Sequence, residues 1–198
     1  MVDLAHDIDP KPDIEGPSQR RHPIRWMAAA LGLVIVVLIG VLATRTPTDQ
    51  RAVESPLIGH AAPAVEGPTL DGKTFTLRSQ LGHWVLVNFF ATWCVPCRKE
   101  HPELKTFAER HQAARDATVV MVVFNDSTDA VRSWFDEHGG TWPVILGDEG
   151  DIALAYGVTA VPESYLVDPN GRVDAKLVGG VTDDELEKVL ATALGKPS

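Results

Sequence analysis

Cysteine is scarce in this sequence: only Cys94 and Cys97 occur among its 198 residues. A structural zinc site needs four ligands, usually from a second Cys or His pair at similar spacing, and no second pair is present. Covalent haem attachment needs a His directly after the second Cys, where this chain has Arg98. The scarcity disfavours a structural zinc site and excludes haem attachment.

Positive charge is scarce as well: 18 Lys and Arg stand against 27 Asp and Glu, for a formal net charge of −9. A nucleic-acid partner would require a basic stripe to hold its phosphates, and the sequence has none. Internal repeats and low-complexity tracts are also absent. We therefore predict no nucleic-acid partner.

One long hydrophobic run is present, from Trp26 to Ala43, and its 18 residues carry no charge. As a helix it would measure about 27 Å, close to the ~30 Å hydrocarbon core of a bilayer. A cleaved signal peptide is the alternative, but its apolar region is usually shorter and a small-x-small cleavage site follows it. The LATRTP that follows here is a poor site, so we predict an uncleaved anchor at residues 26–44.

The charges around this run predict its orientation. Arg20, Arg21 and Arg25 lie directly before it, and positively charged flanks stay in the cytoplasm. Residues 1–25 are then a disordered cytoplasmic tail and residues 45–56 a tether. Residues 57–198 form one domain on the periplasmic side of the inner membrane, held there by a single pass. We expect the chain to be a monomer.

Strand and helix patterns alternate through this domain. Buried strands are predicted at Trp84–Phe90 and Thr118–Phe124 and a short one at Pro143–Leu146, with helices at Val95–Gln112, Thr128–His138 and Asp151–Tyr156. The DPNG turn at 168–171 predicts a hairpin, and Thr182 with Glu185 forms the capping box of a last helix. This order predicts an α/β fold with a mixed sheet covered on both faces.

The two cysteines follow a strand and open a helix, so the helix N-terminus favours a thiolate at Cys94. Disulfide exchange needs one thiolate to attack and a second thiol to resolve the mixed disulfide, and Cys94 and Cys97 supply both. Two inert buried thiols and a permanent structural disulfide are the alternatives, although so short a loop gains little entropy from a crosslink. A redox-active Cys94–Cys97 disulfide requires no cofactor and no metal.

Three motifs together resemble the thioredoxin fold over residues 57–194: WCVPC after a strand, Pro102 five residues past the second cysteine, and TAVPES at 159–164 before the hairpin. The resemblance implies that Pro162 is cis and packs opposite the cysteines. It also implies a buried Asp six residues before the first cysteine, where this chain has Asn88. Glu100, one helical turn beyond Cys97, is the candidate for the proton role of that Asp.

A narrower resemblance is to membrane-anchored TlpA-like thioredoxins, through the opening GHAAPAVEGPTLDGKTFTL and the extra helix and strand between Thr128 and Leu146. Glu100 in RKEH and Glu163 directly after the proline resemble the reductases of cytochrome c maturation, of the DsbE type. The TAV before Pro162 departs from the Gly-containing segment of that group.

The resemblance implies reduction of CxxCH disulfides in apocytochrome c, or in other oxidised extracytoplasmic proteins, with electrons from a membrane thiol donor. The donor must be separate, because the chain has no cysteine outside the pair. The predicted site has catalytic roles for Cys94, Cys97, Glu100, Pro162 and Glu163, and substrate contacts from Trp93, Val161 and Pro162.

Other functions stay open at this point. A general disulfide reductase or an oxidase would use the same residues. A thiol peroxidase would need Pro-x-x-x-Thr-x-x-Cys, but counting back from Cys97 gives Cys94 and Phe90 in the Thr and Pro positions. A non-enzymatic anchored metallochaperone or apocytochrome-binding module would hold Cu(I) or zinc through Cys94, Cys97 and His101. If His101 binds no metal, its position next to Pro102 predicts that it lies at the surface.

Overall fold

The computed structural model describes residues 22–43, 53–146 and 150–195. It contains two compact units, Met1–Pro47 and Thr48–Ser198. Residues 1–21 of the predicted tail and 45–52 of the predicted tether lie outside the described residues.

The first unit contains the helix α1, His22–Ala43, which covers the run predicted as an anchor. The side chains from Trp26 to Leu38 are exposed. Within the parts of the chain that the structure describes, no helix is both long and apolar enough to cross a membrane.

The second unit alternates strands and helices. Its strands are β1 Glu66–Pro68, β2 Thr74–Thr76, β3 Trp84–Phe90, β4 Ala117–Val123, β5 Val144–Ile145, β6 Glu163–Val167 and β7 Val173–Val178. Its helices are α2 Val95–Ala114, α3 Thr128–His138, α4 Asp151–Tyr156 and α5 Asp183–Ala193, with a 3₁₀ turn at Leu77–Gln80. Every strand and helix that the sequence predicted in this unit is present, within a few residues at each end.

Five strands form the central sheet in the order β5-β4-β3-β6-β7. β3 runs parallel to β4 and β4 parallel to β5, while β6 is antiparallel to both β3 and β7. The predicted mixed sheet and the predicted β6–β7 hairpin are therefore confirmed. β3 lies at the centre, and all seven of its residues are buried.

The alternation of side chains along β3 divides the core into two layers. Leu86 and Phe90 face a cluster that includes Leu104 and Phe107 of α2 and residues of α3 and α5. Val87 and Phe89 face the opposite cluster, which includes residues of α4. Helices therefore cover both faces, as predicted, and the cysteine loop follows β3 at its carboxyl end.

The hairpin of β1 and β2 was not predicted from the sequence. It packs at the β5 edge, where Thr69 forms a bridge with Ile145. A Cβ on Gly67 would lie 2.9 Å from Cγ2 of Ile145, so only glycine allows this close approach. Three-residue strands that depend on such a tertiary contact carry no alternating apolar pattern.

The helix ends follow the sequence signals. Gly139 and Gly157 end α3 and α4 with positive φ angles of 69° and 67°. Both hydrogen bonds of the Thr182–Glu185 capping box are formed at α5. Pro102 lies inside α2, which continues past it to Ala114.

Candidate active site

Cys94 and Cys97 are joined by a disulfide, with their Cα atoms 5.3 Å apart. Cys94 is the N-cap of α2, and its Sγ accepts a hydrogen bond from the backbone N–H of Cys97 at 3.2 Å. Cys94 is 3% exposed and Cys97 is fully buried. Cys94 is therefore the sulfur that a partner reaches first, and Cys97 is placed to resolve.

The loop before β6 approaches Cys94 from the other side. The Val161–Pro162 peptide bond is cis, as the resemblance implied. The carbonyl oxygen of Val161 lies 3.4 Å from Sγ of Cys94, and the carbonyl of Pro162 accepts from the N–H of Gly179 at 2.9 Å. In the dithiol form the Cys94 S–H can donate to the Val161 carbonyl, which stabilises the neutral thiol over the thiolate.

Glu100 is buried rather than solvated, with 2% of its surface exposed. Its Oε1 accepts from Nδ2 of Asn88 at 2.9 Å and its Oε2 from the N–H of Val181 at 2.9 Å. Burial raises the pKa of the carboxyl to about 8, although the hydrogen bonds from Asn88 and Val181 act in the opposite direction. Glu100 therefore exchanges a proton near neutral pH.

The Glu100 carboxyl lies close to the cysteine turn. A Cβ built on Gly180 would be 3.3 Å from the carbonyl oxygen of Pro96 and 3.7 Å from Oε2 of Glu100. Pro96 lies between the two cysteines, and Glu100 follows Cys97 by one turn of the same helix. Glu100 and Cys97 are therefore both buried, one turn apart on α2, with the Glu100 carboxyl near the turn that joins the cysteines.

Glu163 lies elsewhere. It is buried, and its Oε2 forms an ion pair with Nζ of Lys176 at 2.7 Å. Its carboxylate also accepts from the N–H of Thr159 at 3.3 Å and from the Tyr165 hydroxyl at 3.3 Å. Among its described partners there is no cysteine. The hydrogen bond from the Thr159 N–H connects Glu163 to the start of the loop that carries Pro162.

Trp93, the predicted substrate contact, is 56% exposed beside Cys94. Its indole N–H donates to the carbonyl of Asn125 at 3.1 Å. Oδ2 of Asp126 accepts from both the N–H and the hydroxyl of Thr92, at 2.6 and 2.7 Å. The loop after β4 therefore holds the residues that lead into the disulfide.

His101 is buried, so the expectation of a surface position was wrong. Its Nε2 bonds to the carbonyl of Gly139 at 2.8 Å, and its ring packs among Phe90, Phe135 and Trp142. Burial lowers the pKa of His101. The described residues include no group of three or more His, Cys, Asp or Glu placed to hold a metal ion.

Sequence reasoning missed several residues that position the site. The position of Asp126 could have been predicted from the sequence. It lies in a short loop directly after a parallel strand, and such a loop lies at the same sheet edge as the cysteine loop. The contact of Lys176 with Glu163 could also have been predicted. In the β6–β7 hairpin Lys176 pairs with Tyr165, which lies two residues from Glu163 on the same face of the strand. No sequence pattern predicts the hydrogen bond from the Val181 N–H to Glu100, because the donor is a main-chain group in a loop.

Residues 58–176 match the model of the AhpC/TSA family. This chain belongs to the AhpC/TSA family. Two relatives of this chain are named as thiol-disulfide proteins. The thiol:disulfide interchange protein DsbE homolog of Paracoccus denitrificans is 36% identical over 72% of this chain and 83% of its own length. The thiol-disulfide oxidoreductase ResA of Bacillus cereus is 32% identical over 80% of this chain and 91% of its own length.

Solved structures agree with this family assignment. A thiol:disulfide interchange protein of the thioredoxin family from Chlorobium tepidum superposes with a TM-score of 0.63 at 29% identity. The match covers 72% of this chain and 99% of that one. The chain is a thiol-disulfide oxidoreductase with a thioredoxin-like fold.

Proposed function

We propose that this oxidoreductase works as an extracytoplasmic reductase, and that its substrate is the CxxCH disulfide of apocytochrome c before haem attachment. The observation that carries the exchange chemistry is the Cys94–Cys97 pair at the start of α2, with the buried Glu100, whose pKa is about 8, one turn from Cys97. The resemblance to the reductases of cytochrome c maturation supports the substrate.

The exchange needs only the groups at the site. The Cys94 thiolate attacks one sulfur of the substrate disulfide, and that bond breaks as a mixed disulfide forms. Cys97 then loses its proton and attacks Sγ of Cys94, which releases the substrate as a dithiol. Two electrons pass to the substrate, and the Cys94–Cys97 disulfide remains. The carboxylate form of Glu100 takes the proton of Cys97 and passes it to the departing substrate thiolate, solvent supplies the second proton, and no further cofactor or metal is required.

Two contacts favour a reducing pair. The Val161 carbonyl oxygen lies 3.4 Å from Sγ of Cys94, and its partial negative charge disfavours a thiolate there. Glu100 ionises as the pH rises through about 8, and its negative charge near Cys97 then disfavours a second one on the thiol. Strong disulfide oxidants owe their oxidising power to a stabilised reduced form. These two contacts oppose the thiolate stabilisation that the start of α2 gives Cys94, and the less a site stabilises its own thiolates, the more readily it gives electrons away.

The residues around Cys94 would contact the substrate. Trp93 and Val95 are 56% and 58% exposed and form an apolar rim, with Val161 and Pro162 opposite. An extended substrate strand would lie between the rim and the Val161–Pro162 loop. Glu163 supports that loop through Thr159.

The same proposal includes the chain's location. Residues 26–44 would anchor it in the inner membrane with residues 1–25 in the cytoplasm and the oxidoreductase unit in the periplasm. The anchor would keep a monomer near a membrane thiol protein that restores the dithiol. Its support is the uncharged run from Trp26 to Ala43 and the arginines before it.

A CxxCH peptide of an apocytochrome, oxidised to its disulfide, tests the function. The reduced full chain should convert it to the dithiol, while Cys94→Ser should not and Cys97→Ser should stop at a mixed disulfide seen by mass spectrometry. In cells, apocytochrome c should stay oxidised when Cys94→Ser replaces the native chain. Equal rates with unrelated disulfide peptides would indicate a general reductase, and failure to reduce any peptide would refute the proposal.

A further inference from the structure

A groove of about 590 Å³ lies between α2 and α3, next to the disulfide. Three cations line it, Arg98, Lys99 and Lys105, together with the rings of His101, Trp134 and His138. Val95 and Pro102 complete the lining. Val95 directly follows Cys94 and Arg98 directly follows Cys97, so two of the lining residues are chain neighbours of the redox pair.

The charge of this groove is opposite to that of the chain. The formal net charge is −9, yet no carboxylate is among the described residues that line the groove. None of the described ion pairs includes Arg98, Lys99 or Lys105. By contrast, Arg110 pairs with Asp183 and Glu187, and Lys176 pairs with Glu163. The groove cations therefore keep their charge available to a partner.

The lining side chains hold one another in place. The Arg98 guanidinium lies 4.9 Å over the Trp134 ring, and the Trp134 and His138 rings stack with centroids 3.5 Å apart. Nζ of Lys105 donates to the carbonyl of His138 at 3.2 Å. Because these contacts exist in the free protein, less side-chain freedom is lost when a ligand binds.

The carboxylate of Glu137 approaches one lining ring but does not neutralise the groove. Oε2 of Glu137 is 4.0 Å from Nδ1 of His138, and the Glu137 side chain is 77% exposed. Such an exposed pair contributes little because solvent screens it. Glu137 also faces solvent rather than the lining, so the three cations set the potential in the groove.

We propose that this cationic groove docks an acidic segment of the oxidised substrate polypeptide, next to the cysteine that Cys94 attacks. The inference rests on the proposed reductase function and adds a substrate preference to it. A substrate held at Cys94 continues along Val95 into the groove, where its carboxylates meet Arg98, Lys99 and Lys105. Charge complementarity of this kind mainly increases the rate of association.

Three disulfide peptides with one cysteine core test the proposal, carrying acidic, neutral or basic flanks. Reduction by the full reduced chain is followed at low salt and again near 1 M salt. The acidic peptide should react about tenfold faster than the neutral one at low salt, because complementary charge speeds encounter. The advantage should disappear near 1 M salt, where the Debye length is about 3 Å.

The matched variants separate the groove from net charge. R98Q/K99Q/K105Q should lose the acidic preference, while R78Q/R132Q/K188Q, with the same change of charge on other surfaces, should keep it. The ratio of acidic to neutral rates cancels any effect of Arg98 or Lys99 on the cysteines themselves.

Each outcome decides one of the two ideas. Equal rates for acidic and neutral peptides with the unmodified chain would overturn the groove proposal and leave the reductase function standing. A preference that both triple variants lose equally would also overturn it, since net charge would then be the cause. Failure to reduce even the neutral peptide would refute the reductase function instead.

Discussion

Nδ2 of Asn88 donates to Oε1 of Glu100 at 2.9 Å and so joins the central strand β3 to the cysteine helix α2. Nδ2 of Asn88 also contacts the hydroxyl of Ser164 on β6 at 3.0 Å. The resemblance to thioredoxin implied a buried Asp at position 88. In this chain the amide of Asn88 instead donates a hydrogen bond to Glu100, so the buried acid of the site comes from α2 rather than from β3.

Glu100 should make the chain less stable as the pH rises. Its pKa is about 8 in the folded chain against an ordinary 4.5, so the folded state holds the proton more tightly. The stabilisation is complete below about pH 4.5 and is lost through pH 8. The shift corresponds to a fall of about 4–5 kcal/mol in the free energy of unfolding. Urea unfolding of the oxidised chain at several pH values measures it.

Glu100→Gln should remove that fall. The glutamine has one acceptor oxygen for two donors, Asn88 and Val181, so the variant should be about 1–3 kcal/mol less stable than the unmodified chain at pH 5. Near pH 8 the difference should vanish or reverse. Glu109→Gln, on the exposed side of the same helix, is the control and should keep the unmodified slope. An unchanged slope in Glu100→Gln would contradict the assignment.

Glu100→Gln should also slow the second step of exchange. Without the carboxyl, the proton of Cys97 has no buried acceptor, and loss of general base catalysis slows such steps by about 10²-fold or more. The mixed disulfide with substrate should then accumulate in acid-quenched samples analysed by mass spectrometry. If it decays as fast as in Glu109→Gln, Glu100 is not the proton acceptor.

Glu163 and Lys176 should be coupled in stability. Lys176→Met leaves a buried carboxylate without its cation and should destabilise the chain by about 3–5 kcal/mol. Adding Glu163→Gln should recover much of that loss, because the remaining groups are neutral. Urea unfolding of both single variants and the double variant measures the coupling, with Lys188→Met as the exposed control. Strict additivity of the two changes would refute the coupling.

Asp126 should matter for both stability and exchange. Asp126→Ala removes two hydrogen bonds to Thr92 and should lower the free energy of unfolding by about 1–3 kcal/mol. It should also slow reduction of a peptide disulfide, since Thr92 and Trp93 lead into Cys94. Asp126→Asn keeps an acceptor oxygen and should stay close to the unmodified chain in both measurements. Equal behaviour of the two variants would show that the contact does not support the site.

The central sheet could be predicted because its strands are long, apolar and bounded by turns. TVVMVVF and WVLVNFF contain enough β-branched and aromatic residues to identify buried strands without any partner. The β1–β2 hairpin could not be predicted in this way. Its three-residue strands contain Gly67 and Pro68, and they are fixed by packing of Gly67 against Ile145.

Some features of the site could likewise be predicted from the sequence and others could not. The cysteine pair, its place at the helix start and the position of Glu100 followed from spacing along one helix. The location of Glu163 did not, because successive residues of a strand point to opposite faces. Ser164 faces Asn88, so Glu163 must face away from it. The alternation of side chains along the β6 strand therefore separates Glu163 from the face that carries Ser164.

The reduction potential of the Cys94–Cys97 pair tests the central claim most directly. The full chain is equilibrated in glutathione or dithiothreitol buffers, and the fraction of disulfide is measured after alkylation. The contacts from Val161 and Glu100 predict a value near or below about −220 mV, toward the thioredoxin end of the scale. A value near about −120 mV would make the chain an oxidant that donates disulfides, and the proposed direction of electron flow would be wrong.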